Sequence, residues 1–112
     1  MIKKNRIYQA YYTKSEPIVN YMVSLLNLKG DETIFEPCAG DGVFIDPIIQ
    51  KYDRANIEAY EFNEDSFKSL SLKYSDLDNI SVKKTDTLTD ADLESLCASG
   101  GKYDAVIANP PY

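Results

Sequence analysis

The run Thr33-Ile34-Phe35-Glu36-Pro37-Cys38-Ala39-Gly40-Asp41-Gly42 limits this chain's fold more than any other stretch. Thr33 to Phe35 are strand formers. Gly40 and Gly42 allow a left-handed backbone and a close approach by a ligand. An apolar pattern resumes from Val43 to Ile49. Strand, glycine turn and helix in succession bring backbone N–H groups and the positive end of a helix dipole to one point. Such a point suits an anion or an adenosine-containing ligand. Taken alone, Gly40-Asp41-Gly42 also fits an ordinary strand-to-helix turn. The third glycine of the dinucleotide fingerprint is absent, and Val43-Phe44-Ile45 follows instead. Glu36 narrows the choice further. A carboxylate at this strand end repels a pyrophosphate and favours an ammonium or a sulfonium.

The remaining elements fall around this unit. Ser15-Glu16-Pro17 opens a predicted helix, with Ser15 as cap and Pro17 tolerated in the first turn. Its apolar face is predicted at Ile18, Tyr21, Met22, Leu25 and Leu26, and Gly30 is its expected C-terminal cap. Strands are predicted at Thr33 to Glu36, Asn56 to Glu61, Ile80 to Lys83 and Tyr103 to Ala108. Helices are predicted at Val43 to Tyr52, Glu64 to Tyr74 and Asp90 to Ala98, the last capped by Thr89. Strand–helix alternation with short loops implies an α/β fold: a parallel sheet, right-handed crossovers and helices on both faces. The pattern stops at the motif that closes the fourth strand, whereas doubly wound sheets usually continue. The expectation is one domain over residues 1–112, the N-terminal part of a longer enzyme.

Composition removes several function classes. The 112 residues contain no histidine, which excludes histidine acid–base chemistry and histidine metal ligation. Two widely separated cysteines, Cys38 and Cys97, lack metal spacing and suit a reduced, cytoplasmic protein. No run approaches the ~18 apolar residues of a membrane span, and the basic start Met1 to Arg6 lacks the apolar stretch of a signal peptide. The net charge is −6, and the cations cluster only at Lys3, Lys4, Arg6 and Lys14. This segment alone is therefore expected to bind nucleic acid poorly.

Three further places carry candidate chemistry. Glu61 ends the second strand about 20 residues past the glycine turn, a spacing at which an acid accepts from ribose hydroxyls. A surface acid at a strand end is the plainer alternative. Phe62, next in the chain, can lie against an adenine. Asp86, in Lys84-Thr85-Asp86-Thr87-Leu88, follows the third strand and faces the same sheet edge. It can accept from an exocyclic adenine amine, or it can cap a turn. Asn109-Pro110-Pro111-Tyr112 is the most specific run. Its prolines neither extend a ladder nor donate hydrogen bonds. The Asn109 side-chain carbonyl, the Pro110 backbone carbonyl and the Tyr112 ring together fit a planar group bearing –NH₂. A strand-terminating proline turn is the alternative here.

Together these residues resemble the N6-adenine DNA methyltransferases that use S-adenosylmethionine. The order, with cofactor motifs before Asn-Pro-Pro-Tyr, resembles the γ-type enzymes of restriction–modification systems. Tyr11-Tyr12-Thr13 resembles their N-terminal cofactor motif, although Lys14 stands where the family often has proline. The resemblance implies a Rossmann-like methyltransferase fold. It also implies that Tyr12, Thr13 and the turn Glu36, Pro37, Cys38, Ala39, Gly40 and Gly42 hold the methionine end of the cofactor. Glu61 would hold the ribose and Phe62 would lie beside the adenine. Asp86, with Thr87 next to it, would hold the adenine amine. Asn109 and Pro110 would hold the target amine and Tyr112 would stack on the target base, which must leave the duplex. DNA would be the partner, read by a region beyond these residues. No metal is needed.

The same motif also serves enzymes that methylate RNA bases or protein glutamine, so the target class stays open. A cofactor-binding fragment without turnover is a further reading. A nicotinamide oxidoreductase is disfavoured by the missing glycine, by Glu36 and by the proline turn.

Overall fold

The computed structural model describes residues 16–109. Among them run α1 (Glu16–Ser24), β1 (Thr33–Glu36), α2 (Ile45–Lys51), β2 (Asn56–Glu61), α3 (Glu64–Lys73), β3 (Ile80–Lys84), α4 (Ala91–Ala98) and β4 (Ala105–Val106). The strands form one sheet in the order β3-β2-β1-β4. Every pair is parallel, with Ile34 beside Ile57 and Ala105, and Ile57 beside Ile80. The reversal of strand order falls at β1, so the crevice expected of such a sheet lies at the carboxyl ends of β1 and its neighbours.

Side-chain alternation divides the sheet into two faces. Ile34, Ile57, Ala59, Ile80 and Ile107 share the face that holds the core, packed against Val19 and Val23 of α1, Ile45 and Ile48 of α2, and Leu70 of α3. The opposite face carries Phe35, which stacks on Tyr103 at 4.6 Å and meets Tyr60 edge-on at 4.8 Å. α4 is tied to this second face through Lys83, whose ammonium reaches Asp90 at 3.0 Å and Asp92 at 3.3 Å. Helices therefore attend both faces, as the alternation implies.

β1 and β2 match the predicted ranges to the residue, and β3 runs one residue further. Four local expectations are corrected. On α1 the buried stripe is Val19 and Val23, with Met22 and Leu26 packed against the core, while Ile18, Tyr21 and Leu25 are 52%, 65% and 64% exposed. Two apolar stripes share this helix, and the valines face α2. The left-handed residue after α1 is Asn27, at φ 48°, rather than Gly30. At Gly30 a Cβ would lie 2.6 Å from the tip of the exposed, flexible Arg54 side chain, which can move aside. α4 is capped by Asp90, whose Oδ1 accepts from Leu93 N–H at 2.8 Å, and not by Thr89. β4 covers two residues; just before it Asp104 bonds Thr33 twice, its N–H donating to the Thr33 carbonyl at 2.8 Å and its Oδ2 accepting from the Thr33 N–H at 2.8 Å, so a side chain replaces a backbone acceptor at that end.

α2 also begins at Ile45, two residues later than predicted, because the turn around Gly42 continues through Phe44. Ser15, the predicted first cap, lies outside the described residues.

Candidate functional site

The site forms where β1, β2 and β3 end. After Glu36 the chain makes a tight turn, with Gly42 N–H donating to Ala39 carbonyl at 2.8 Å. Gly40 and Gly42 lie at φ 57° and 78°, which a side chain rarely adopts. At Gly42 space forbids one as well, since a Cβ would sit 2.6 Å from Leu70 of α3. The turn is laced to β2 twice. Ala39 N–H donates to Tyr60 carbonyl at 2.9 Å, and Gly40 N–H donates to Glu61 Oε1 at 2.7 Å.

Glu61 is 8% exposed and holds two turns at once. Its second oxygen, Oε2, accepts from Asn63 N–H at 2.6 Å. Asn63 in turn caps α3, accepting from Ser66 N–H at 2.9 Å. Each Glu61 oxygen keeps a further lone pair for a ligand hydroxyl. A glutamine here offers one acceptor, and its NH₂ faces a donor. Glu61→Gln is therefore expected to lower the unfolding free energy by about 1–3 kcal/mol, read from urea denaturation. Unchanged stability would show that the turns do not depend on this carboxylate.

Glu36 is the most unusual group of the site. It is 0% exposed, and among the described residues neither carboxyl oxygen has a hydrogen-bond partner. Burial raises its pKa well above the ordinary carboxylate value, and the nearby Glu61 charge pushes the same way. A buried polar group without a partner is costly to fold around. A donor arriving at the strand end would satisfy it.

Cys38 follows in the same turn. Burial raises its thiol pKa, and the charges of Glu61, Glu36 and Asp86 add to the effect. Asp86 accepts the Leu88 N–H on Oδ1 at 3.0 Å, so the turn-capping reading holds for that oxygen. Thr87 Oγ1 donates to Pro37 carbonyl at 2.5 Å, joining the loop after β3 to the turn after β1. Phe62, 71% exposed, stands at the same edge directly after β2.

Asn109 approaches from the other side. β4 runs beside β1 with Phe35 next to Val106, and Ile107 N–H donates to Phe35 carbonyl at 3.0 Å. Asn109 follows two residues later and is half-buried. The structure thus brings together Glu36, Pro37, Cys38, Ala39, Gly40, Gly42, Glu61, Phe62, Asp86 and Thr87 at one sheet edge, with Asn109 beside β1's end. Tyr12, Thr13, Pro110 and Tyr112 lie outside the described residues. Asn63 and the Thr87 bridge escaped the sequence reading. Asn63 was findable, since Asn-Glu-Asp ahead of an apolar helix is a cap signal. The bridge had no signal, as its partners lie 50 residues apart.

A four-stranded parallel sheet ordered 3-2-1-4, a glycine turn after its first strand and an acid ending its second define the Rossmann-like methyltransferase fold. The family profile of N-6 DNA Methylase matches residues 8–112, and the chain belongs to that family. It is 32% identical over 88 residues to the Type II methyltransferase M.AccI of Acinetobacter calcoaceticus, covering 79% of this chain and 15% of that protein. It is 29% identical over 112 residues to the ribosomal RNA small subunit methyltransferase A of a Hydrogenobaculum species, covering 100% of this chain and 40% of that one. The fold superimposes on an RNA methyltransferase from Salinibacter ruber in complex with S-adenosyl-L-homocysteine with TM-score 0.69. That match has 16% identity and covers 87% of this chain and 60% of the other. The chain spans well under half the length of the curated relatives it matches.

Proposed function

We propose that this domain holds S-adenosylmethionine along the carboxyl edge of its sheet and methylates the N6 amine of adenine in DNA, within a restriction–modification system. The single observation carrying the cofactor reading is Glu36: a fully buried carboxyl with two unpartnered oxygens beside two further acids. The donor set fits the cofactor at each part. Glu36 would accept from the ammonium of the methionine end, next to the turn Pro37 to Gly42. Glu61 would accept from ribose hydroxyls with its remaining lone pairs. The exposed Phe62 ring would cover the adenine, and Asp86 would accept from its amine. Tyr12 and Thr13 are assigned to the methionine end on the family resemblance.

When bound, S-adenosylmethionine supplies an electrophilic methyl group on its sulfonium. The chain's task is then to deliver and orient an amine. Asn109 and Pro110 would each accept one hydrogen of the target amine, and Tyr112 would stack on the base. Accepting both hydrogens favours a pyramidal nitrogen, whose lone pair is freed from the ring. Fixing the amine in line with the methyl supplies most of the rate. Neither a metal nor a covalent enzyme intermediate is required. Sequence reading of DNA is assigned to a region outside residues 1–112, in keeping with the net charge of −6.

The chain's family and its likeness to a Type II methyltransferase support DNA as target. A second reading, an RNA base, is favoured by the relative that acts in ribosomal RNA and aligns with all 112 residues. The deciding experiment gives the full-length protein S-adenosylmethionine with a labelled methyl and offers duplex DNA, RNA and protein in parallel. Label on N6-methyladenine in DNA is the expected result. Label confined to RNA or protein would replace the target assignment, and no binding of the cofactor would overturn the reading altogether.

A further inference from the structure

We propose that Thr87 is a positioning residue that sets the span of the cofactor crevice by tying the loop after β3 to the turn after β1. This deepens the cofactor reading above and rests on it. In the sheet β3 and β1 are separated by β2, so their loops have no ladder in common. Each is instead laced to the end of β2: the turn through Ala39 and Gly40, the loop through Thr85 N–H, which donates to Glu61 carbonyl at 3.2 Å. The bond from Thr87 Oγ1 to Pro37 carbonyl closes the ring. The ring so closed includes the end of β2, where the ribose would sit on Glu61.

The two tied segments hold opposite parts of one ligand. Glu36 and the glycine turn face the methionine end, and Asp86 faces the adenine. A ligand gripped at both ends binds well only if the grips stand a fixed distance apart. The hydroxyl has one proton, and Pro37 takes it. Thr87 therefore acts through the position of its neighbours rather than by donating to the cofactor. It also pins the peptide that links Pro37 to Cys38, next to Glu36.

The test compares Thr87→Val with Thr87→Ser in the full-length protein, by calorimetry with S-adenosylmethionine and with adenosine. Valine keeps the shape and loses the donor. The expected result is about a tenfold loss of S-adenosylmethionine affinity and less than about a twofold change for adenosine, which engages one grip only. Serine restores the wild-type value. In turnover, the cofactor KM rises with kcat nearly unchanged. Thr87→Ala tests the same bond should the valine variant misfold. Equal S-adenosylmethionine affinity in wild type and valine variant overturns the proposal. So does an equal loss for both ligands, which would mark a general loosening of the fold. A wild-type protein that binds adenosine but not S-adenosylmethionine removes the cofactor reading and this inference with it.

Discussion

Glu36→Leu is expected to make the protein more stable and less able to bind its cofactor. The buried carboxyl has no partner among the described residues, so an apolar side chain of similar size removes a desolvation cost of about 1–3 kcal/mol. The same change deletes the acceptor proposed for the ammonium. Loss of one or two charge-assisted hydrogen bonds lowers S-adenosylmethionine affinity by about 10–100-fold. Thermal unfolding and calorimetry read the two effects separately. A less stable variant would mean that Glu36 is satisfied in the folded chain, and an unchanged affinity would place the ammonium elsewhere.

The pH dependence has a definite sign. In the unfolded chain Glu36 ionises near 4.5, whereas in the fold its pKa is raised well above that value by burial and then by Glu61. Above pH 4.5 the folded state holds a proton that the unfolded state has lost. Its contribution to stability is therefore complete below pH 4.5 and falls as pH rises through the folded value. Cofactor affinity runs the other way, because an ammonium prefers the carboxylate. Binding is expected to release a proton and to strengthen with pH across the same window. Calorimetry in buffers of different ionisation enthalpy measures that proton, and Glu36→Gln should abolish it.

Asn109→Ala is expected to cut methyl transfer by about 10²–10³ while cofactor affinity stays within about twofold of wild type. Asn109 enters from β4, beside the end of β1 and away from Glu61 and Asp86, so its loss should fall on the target side. Asn109→Asp keeps an acceptor and should retain measurable transfer. The measurement is single-turnover transfer of labelled methyl with saturating cofactor. Wild-type rates in the alanine variant would remove Asn109 from the chemistry. A parallel loss of cofactor affinity would reassign it to the cofactor crevice.

Much of the sheet was legible because its signals are local. β-branched and aromatic residues bounded by Gly30-Asp31 and Pro37 leave β1 no other place, and β2 lies between Ala55 and the Asn63 cap of the next helix. The face of α1 was not legible. Ile18, Tyr21 and Leu25 repeat with the same period as Val19, Met22, Val23 and Leu26, and only the position of α2 selects between the two stripes. The start of β4 was read too early because the Asp104 side chain takes the Thr33 N–H in place of a backbone carbonyl, which propensity does not register. At the site, Glu36 and Glu61 were legible from their offsets to the glycine turn. The sequence could not show that Glu36 lies wholly out of water, nor that Glu61 clasps two turns, since both depend on how α3 and the turn close over the strand ends. Asp86 was readable as an acid at the right edge, and its bond to Leu88 is the turn geometry such a residue commonly adopts.

The thiol of Cys38 has a consequence for chemical self-restraint. A domain that stores an alkylating agent next to a cysteine risks modifying itself, because a thiolate competes for the methyl group with the intended amine. Only the thiolate is a strong nucleophile. Here burial first, and then the acids proposed to attract the cationic cofactor, raise the thiol's pKa and favour its protonated, inert form. The acids proposed to recruit the reagent would thus also help to quiet a thiol in the same turn that could consume it.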